Sequence, residues 1–151
     1  MLENQKELKT SFENRLNSSE LSKIFNVKLG NFDLDYAELI IEHSSLISNP
    51  TGKGTINGGI LAMLSDSATA YALATNFNGQ MSFATIDLQI HYLARAKSTV
   101  TAKAKVIRKG KRINVAEVEI FDIENTMVSK SIVTFILTKP MEFTHGIKKE
   151  K

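Results

Sequence analysis

The chain reads as a single α+β domain, an antiparallel sheet whose inner face is covered by one long helix. Three observations predict it. From Val27 onward, apolar residues return at every second position in several separate stretches, as half-buried strands require. One central stretch breaks that period: the apolar segment ILAMLSDSATAYALATN, Ile60 to Asn76, follows the glycine-marked GKGTINGG of Gly52 to Gly59 and reads as a helix entered through a turn. The order is a hairpin, the helix, then three or four strands joined by short turns, and short turns join antiparallel neighbours.

The elements follow in sequence. Leu8, Phe12 and Leu16 recur at steps of four, so residues 2–17 predict an amphipathic helix with a narrow apolar stripe, packed on the domain surface. Ser18 and Ser19 are placed to cap a short second helix through Glu20 to Phe25. Val27 and Leu29 begin a strand, Asn31 to Asp35 reads as a turn, and Ala37, Leu39 and Ile41 alternate with Glu38 and Glu42. Ala62, Ala68, Ala70, Ala72 and Ala74 make the central helix slender enough to lie inside a curved sheet. After it, Ile86, Leu88, Ile90 and Tyr92 are expected on one face, and Thr85, Asp87, Gln89 and His91 on the other. The sets Val100, Ala102, Ala104, Val106, then Ala116, Val118, Ile120, then Met127, Val133, Phe135, Leu137 continue the period, with Gly110 and Asn125 at turns. Pro140 closes the last strand. The organisation is therefore a helical extension (1–25), the main domain (26–139) and a basic tail (140–151) that contributes little.

Composition narrows the function classes. The 151 residues are 42% hydrophobic with a formal net charge of +3, enough for one core and too little basicity to argue for nucleic acid as a partner. There is no cysteine, so disulfides and cysteine-based metal or nucleophile sites are excluded. His43, His91 and His145 show no metal-ligand spacing with one another or with acids, so no metal is expected. The N-terminal MLENQKELKTSFENRL lacks the apolar core of a secretory signal, and no apolar run reaches membrane-span length; a cytoplasmic, non-membrane protein is the expectation.

Charged residues make up 23% of the chain, yet Asp66 is the only one between Gly54 and Ile86. A carboxylate in so apolar a helix is expected to be largely buried, at a cost of several kcal/mol unless it is paired or used. It is either a structural acid bonded to Ser65, Ser67 or Thr69, or a catalytic group. At the helix start, the Gly58 N–H is a candidate oxyanion donor, because helix N-termini present unpaired N–H groups and partial positive charge. The alternative is that Asn57 caps the helix and Gly58 and Gly59 serve close packing. Asp66 lies eight residues past Gly58, about 12 Å along a helix, too far to act on one carbonyl within one chain. Two such helices running antiparallel across a symmetric dimer would bring Asp66 of one chain opposite Gly58 of the other.

The runs NPTG (Asn49 to Gly52), GTINGG (Gly54 to Gly59) and LSD (Leu64 to Asp66), with TIDLQIHYL (Thr85 to Leu93), Ala96-Lys97 and KGK (Lys109 to Lys111), stand in an order that resembles the hotdog-fold acyl-CoA thioesterases of the phenylacetic-acid-degradation (PaaI-like) type. The likeness spans Val27 to Thr138. It implies a hotdog fold of five or six antiparallel strands wrapped around the long helix, a homodimer that often pairs into a dimer of dimers, and acyl-CoA as substrate with no separate cofactor. It also implies roles: Gly58 N–H on the thioester carbonyl, Asp66 orienting or activating water, Thr85 helping to position that water, and Asn49 as the asparagine of the preceding loop. A carboxylate near a thioester can act as general base on water or attack directly to give an anhydride, and the sequence does not choose between them. Asn57 stands where the family usually has histidine, and Arg95 where proline is common. Asparagine can cap and hydrogen-bond but cannot titrate.

For the phosphates of coenzyme A, Arg95, Lys97, Arg108, Lys109, Lys111 and Arg112 are candidates, read as flanking two neighbouring turns. Phe77, Met81 and Phe83 are candidate walls of an acyl tunnel. Hydrolysis of acyl-CoA is the leading reading. A non-catalytic acyl-CoA-binding domain and a hydratase or dehydratase are the alternatives, with Asn57 distinguishing among them.

Overall fold

The computed structural model describes residues 3–141. Helix α1 (Glu3–Ser18) and the short α2 (Glu20–Ile24) precede β1 (Val27–Asp33) and β2 (Tyr36–Ile41). A 3-10 turn (Ser45–Ile47) leads through a loop to the central helix α3 (Gly58–Ala74). Four strands follow: β3 (Phe83–Tyr92), β4 (Val100–Arg108), β5 (Ile113–Asp122) and β6 (Met127–Leu137). They form one antiparallel sheet in the order β1-β2-β4-β5-β6-β3, so that β3 crosses to the edge farthest from β1. The hotdog architecture implied by the sequence is the one observed: α3 lies across the inner face of β2 to β6, and α1 packs on β1.

The period-two stretches mark that inner face. Ala37, Leu39 and Ile41 of β2, Val100, Ala102 and Ala104 of β4, and Val118 and Ile120 of β5 are completely buried. Small residues on both sides let helix and sheet approach, since Ala68, Ala72 and Ala74 of α3 are buried against them. Helix α1 contributes more than a surface cover. Phe12 is fully buried, edge-on to Phe32 at 5.4 Å and to Tyr71 of α3 at 5.0 Å, which draws the N-terminal helix into the same core. Ser19 caps α2, its hydroxyl accepting the Ser22 N–H, as the sequence suggested.

Two local features depart from the expected pattern. The β1–β2 turn is tighter than Asn31 to Asp35: strand β1 runs on to Asp33 through a bulge between Leu29 and Phe32, and Leu34 and Asp35 alone make the turn, with Asp35 in the left-handed conformation (φ 63°). A second bulge lies in β3, between Thr85 and Asp87. It adds Ile86 as an unpaired residue and moves Thr85 to the inner face, opposite Phe135, with Leu88 opposite Val133. The strict alternation that put Thr85 beside Asp87 is thereby broken.

The far end of α3 is held by a polar cluster. Lys109 Nζ donates to Asp35 Oδ2 (2.9 Å) and Asn76 Oδ1 (3.1 Å), Asn76 Nδ2 donates to Asp35 Oδ1 (2.8 Å), and the Asp35 N–H donates to Thr75 Oγ1 (2.9 Å). Two hairpin turns and the helix C-terminus are thus tied together. Met141, beyond Pro140, packs on the core; the rest of the tail, including His145, lies outside the described residues. Among the described residues no helix is long and apolar enough to cross a membrane.

Candidate active site

Asp66 sits on the α3 face turned toward edge strand β3 and is half-buried rather than largely buried, because no further strand covers that side of the helix. Its partner is none of the neighbouring hydroxyls. Thr69 donates to the Ser65 carbonyl and Ser67 to the Met63 sulfur, whereas Thr85 Oγ1 donates to Asp66 Oδ1 at 2.5 Å. The β3 bulge makes that contact possible by turning Thr85 inward. Among the described residues Oδ2 has no protein donor, so the carboxylate is oriented through one oxygen and open at the other.

The helix start is built with equal definition. Asn57 Oδ1 accepts the Gly59 N–H (2.8 Å), and Asn57 Nδ2 donates to Asn49 Oδ1 (2.9 Å), so the two asparagines and Gly59 form one capping unit. The loop is fixed by the Asn57 N–H on the Ile47 carbonyl (2.7 Å) and the Ile56 N–H on the Ala96 carbonyl (2.8 Å). His43 Nε2 also lies 2.6 Å from the Gly54 carbonyl. Among the described residues, the Gly58 N–H bonds to no protein group. The capping and close-packing reading of this segment is real and coexists with a free donor. Tyr92 donates its hydroxyl to the Gly58 carbonyl at 2.7 Å, and a Cβ on Gly58 would come within 3.0 Å of the Tyr92 ring. A side chain at position 58 would therefore press on the Tyr92 ring and strain that hydrogen bond. In the alternation of the sequence Tyr92 counts only as one more member of an apolar face.

The cations divide. Arg95 and Lys97 are exposed in the loop between β3 and β4, beside the start of α3, whereas Arg108, Lys111 and Arg112 are exposed around the β4–β5 turn. These turns lie at opposite ends of β4 within one chain, not next to each other as the sequence suggested; a hairpin and a crossover at the two ends of one strand cannot be neighbours. Lys109 is committed to the Asp35–Asn76 cluster, with its side chain only 16% exposed.

Beside Asp66 an open groove of about 480 Å³ runs between α3 and the α1–α2 corner. Arg15, Leu21, Ser22, Tyr71 and Met81 contribute to its walls. Of the three candidate tunnel residues, Met81 reaches this groove; Phe83 stacks on Phe135 and Phe77 is buried in the core. No sequence signal marks Arg15, a charged residue at the border of the Leu8–Phe12–Leu16 stripe. Among the described residues no three acidic or histidine side chains converge as a metal site would need.

Residues 53–129 match the family described as the thioesterase superfamily. A Halobacterium salinarum protein named "Putative esterase" is 35% identical over 80 residues, 52% of this chain and 53% of its own length. The matched region thus spans about half of that curated relative. Among solved structures, the Escherichia coli PaaI protein from the phenylacetic acid degradation operon superposes with a TM-score of 0.79 at 20% identity, covering 90% of this chain and 96% of its own. A Haemophilus influenzae thioesterase gives 0.72 at 20% identity over 92% of both chains. A thioesterase family protein from Silicibacter pomeroyi gives 0.75 at 15% identity, over 88% of this chain and 96% of its own. At these identities the superpositions establish the fold.

Proposed function

Because the chain belongs to the thioesterase superfamily, we propose that it hydrolyses acyl-CoA thioesters to the free acid and coenzyme A, as a homodimer that completes each site from two subunits. The observation that carries this reading is Asp66: a carboxylate held by Thr85 through one oxygen, open at the other, and facing a groove. In the proposed reaction Asp66 takes a proton from water as that water attacks the thioester carbon. The oxyanion forms against the Gly58 N–H of the partner subunit, a preorganised donor of the kind that contributes about 3 kcal/mol. Collapse expels the CoA sulfur, which receives the proton from Asp66. The edge position of β3, with Ile86, Tyr92 and Leu93 each more than half exposed, supports the pairing. Antiparallel association there would also bring the Arg95 loop of one subunit toward the Lys111 turn of the other. A cytoplasmic location fits a substrate carried on coenzyme A.

Steady release of CoA thiol from a panel of short-chain, long-chain and aryl acyl-CoAs is the expected result. Saturable binding without thiol release would instead establish a binding domain. Asn57 favours that second reading, since it supplies only a neutral cap where histidine is usual. For the phosphates, reversing charge at Lys111 and Arg112 should raise KM for acyl-CoA several-fold and leave a truncated thioester unaffected. Equal effects on both substrates would assign these residues no contact with coenzyme A.

A further inference from the structure

The groove next to Asp66 has a polar far wall that water activation does not use. Tyr71 is 6% exposed, its ring set edge-on against Phe12, yet it lines the groove, and its hydroxyl has no hydrogen-bond partner among the described residues. The ring is buried, but the hydroxyl oxygen opens on the solvent of the groove, where it is free to donate to a ligand. Burial pushes Tyr71 up to about 12, with the Arg15 charge acting on it in the opposite sense, so the guanidinium is near and the phenol stays a neutral donor through the physiological range. Arg15 lines the same groove and takes part in no ion pair among the described residues. The Ser22 side chain lies on the same wall, while Leu21, from α2, and Met81 supply apolar surface. From Asp66 to Tyr71 is five helical residues, about 7.5 Å along α3, the span of a short acyl chain.

We infer that this groove selects short acyl groups bearing a carboxylate at the far end, so that the preferred substrates are mono-CoA thioesters of dicarboxylic acids. The inference rests on the thioesterase reading for the identity of the scissile bond. Arg15 and Tyr71 would both donate to the distal carboxylate: a guanidinium and a phenol are donors, and the acid already in the groove, Asp66, repels an anion placed close to it. That repulsion favours a substrate whose charge sits a chain length away. An unsubstituted acyl chain would leave the Tyr71 hydroxyl unpaired and gain nothing from Arg15.

The test compares glutaryl-CoA with pentanoyl-CoA, equal in carbon number, on the full-length protein and on Arg15→Gln and Tyr71→Phe. Glutaryl-CoA should have the higher kcat/KM by about tenfold or more, and each substitution should remove most of that advantage, lowering kcat/KM for glutaryl-CoA far more than for pentanoyl-CoA. Preference for pentanoyl-CoA would overturn the inference. So would an Arg15→Gln loss equal for both substrates and for free CoA, which would place the guanidinium on the nucleotide phosphates. Calorimetric affinities of the same two compounds keep the two proposals apart. If no thiol is released from these two or from any member of the wider acyl-CoA panel, the hydrolase reading fails, while tighter binding of glutaryl-CoA, lost in Tyr71→Phe, would still uphold the groove; equal affinities would overturn it.

Discussion

Asp66→Asn should lower thioester hydrolysis by about two to four orders of magnitude while leaving the folded protein and its assembly unchanged. The substitution is nearly isosteric, and the amide oxygen can still accept from Thr85 Oγ1, so the one hydrogen bond that positions the side chain survives. What disappears is the ability to take a proton from water. A purely structural acid would behave in the opposite way: this variant would keep its activity, and any effect would be on stability. Thiol release from the best acyl-CoA substrate, measured alongside a urea unfolding curve, separates the two. Wild-type turnover by the Asn variant would sink the catalytic assignment.

Phe12→Ala should destabilise the protein by about 3–5 kcal/mol, the largest effect expected from any single change in the N-terminal helix. Phe12 is fully buried, and its ring meets Phe32 and Tyr71 edge-on, so truncation leaves a cavity under α1 and removes two aromatic contacts. The measurement is the free energy of unfolding from denaturant titration, with the m-value checked for two-state behaviour. A loss below about 1 kcal/mol would mean that α1 is an accessory, as the narrow Leu8–Phe12–Leu16 stripe by itself suggests. Because Tyr71 lines the groove beside Asp66, this variant should also loosen that wall.

The parts of the fold most legible in the sequence are those where one physical signal dominates. The alternation at Val100, Ala102 and Ala104 names an inner face, and all three are completely buried. The charge-poor segment around Asp66 is indeed the central helix. Periodicity fails where the chain gains a residue. The bulge at Ile86 inverts the face of Thr85, and nothing in the local pattern TIDLQIHYL marks it. Polar residues mislead for a related reason: Asn31 and Asp33 look like a turn but extend an edge strand, whose outer face solvent can accept. Lys109 resembles a solvated turn charge because its partner, Asp35, is 74 positions away. Contacts of that range are set by topology, which local sequence does not encode. The same is true of Tyr92 on Gly58, joined across 34 positions, and of Arg15 on the groove that Asp66 also lines.

The polar cluster at the end of α3 bears on how this protein can change. With its C-terminus anchored by Lys109, Asp35 and Asn76, and its N-terminus by Asn57 and Tyr92, the helix is a rod fixed at both ends. Asp66 and the Gly58 N–H ride on that rod at an unalterable interval. No loop adjustment can bring them closer or farther apart. In the two-subunit site proposed here, the only free variable is the placement of one rod against its counterpart. Substitutions along the β3 edge, many residues from any reacting atom, would then be the dial by which catalytic geometry is retuned, and both sites of a symmetric pair would be retuned in step.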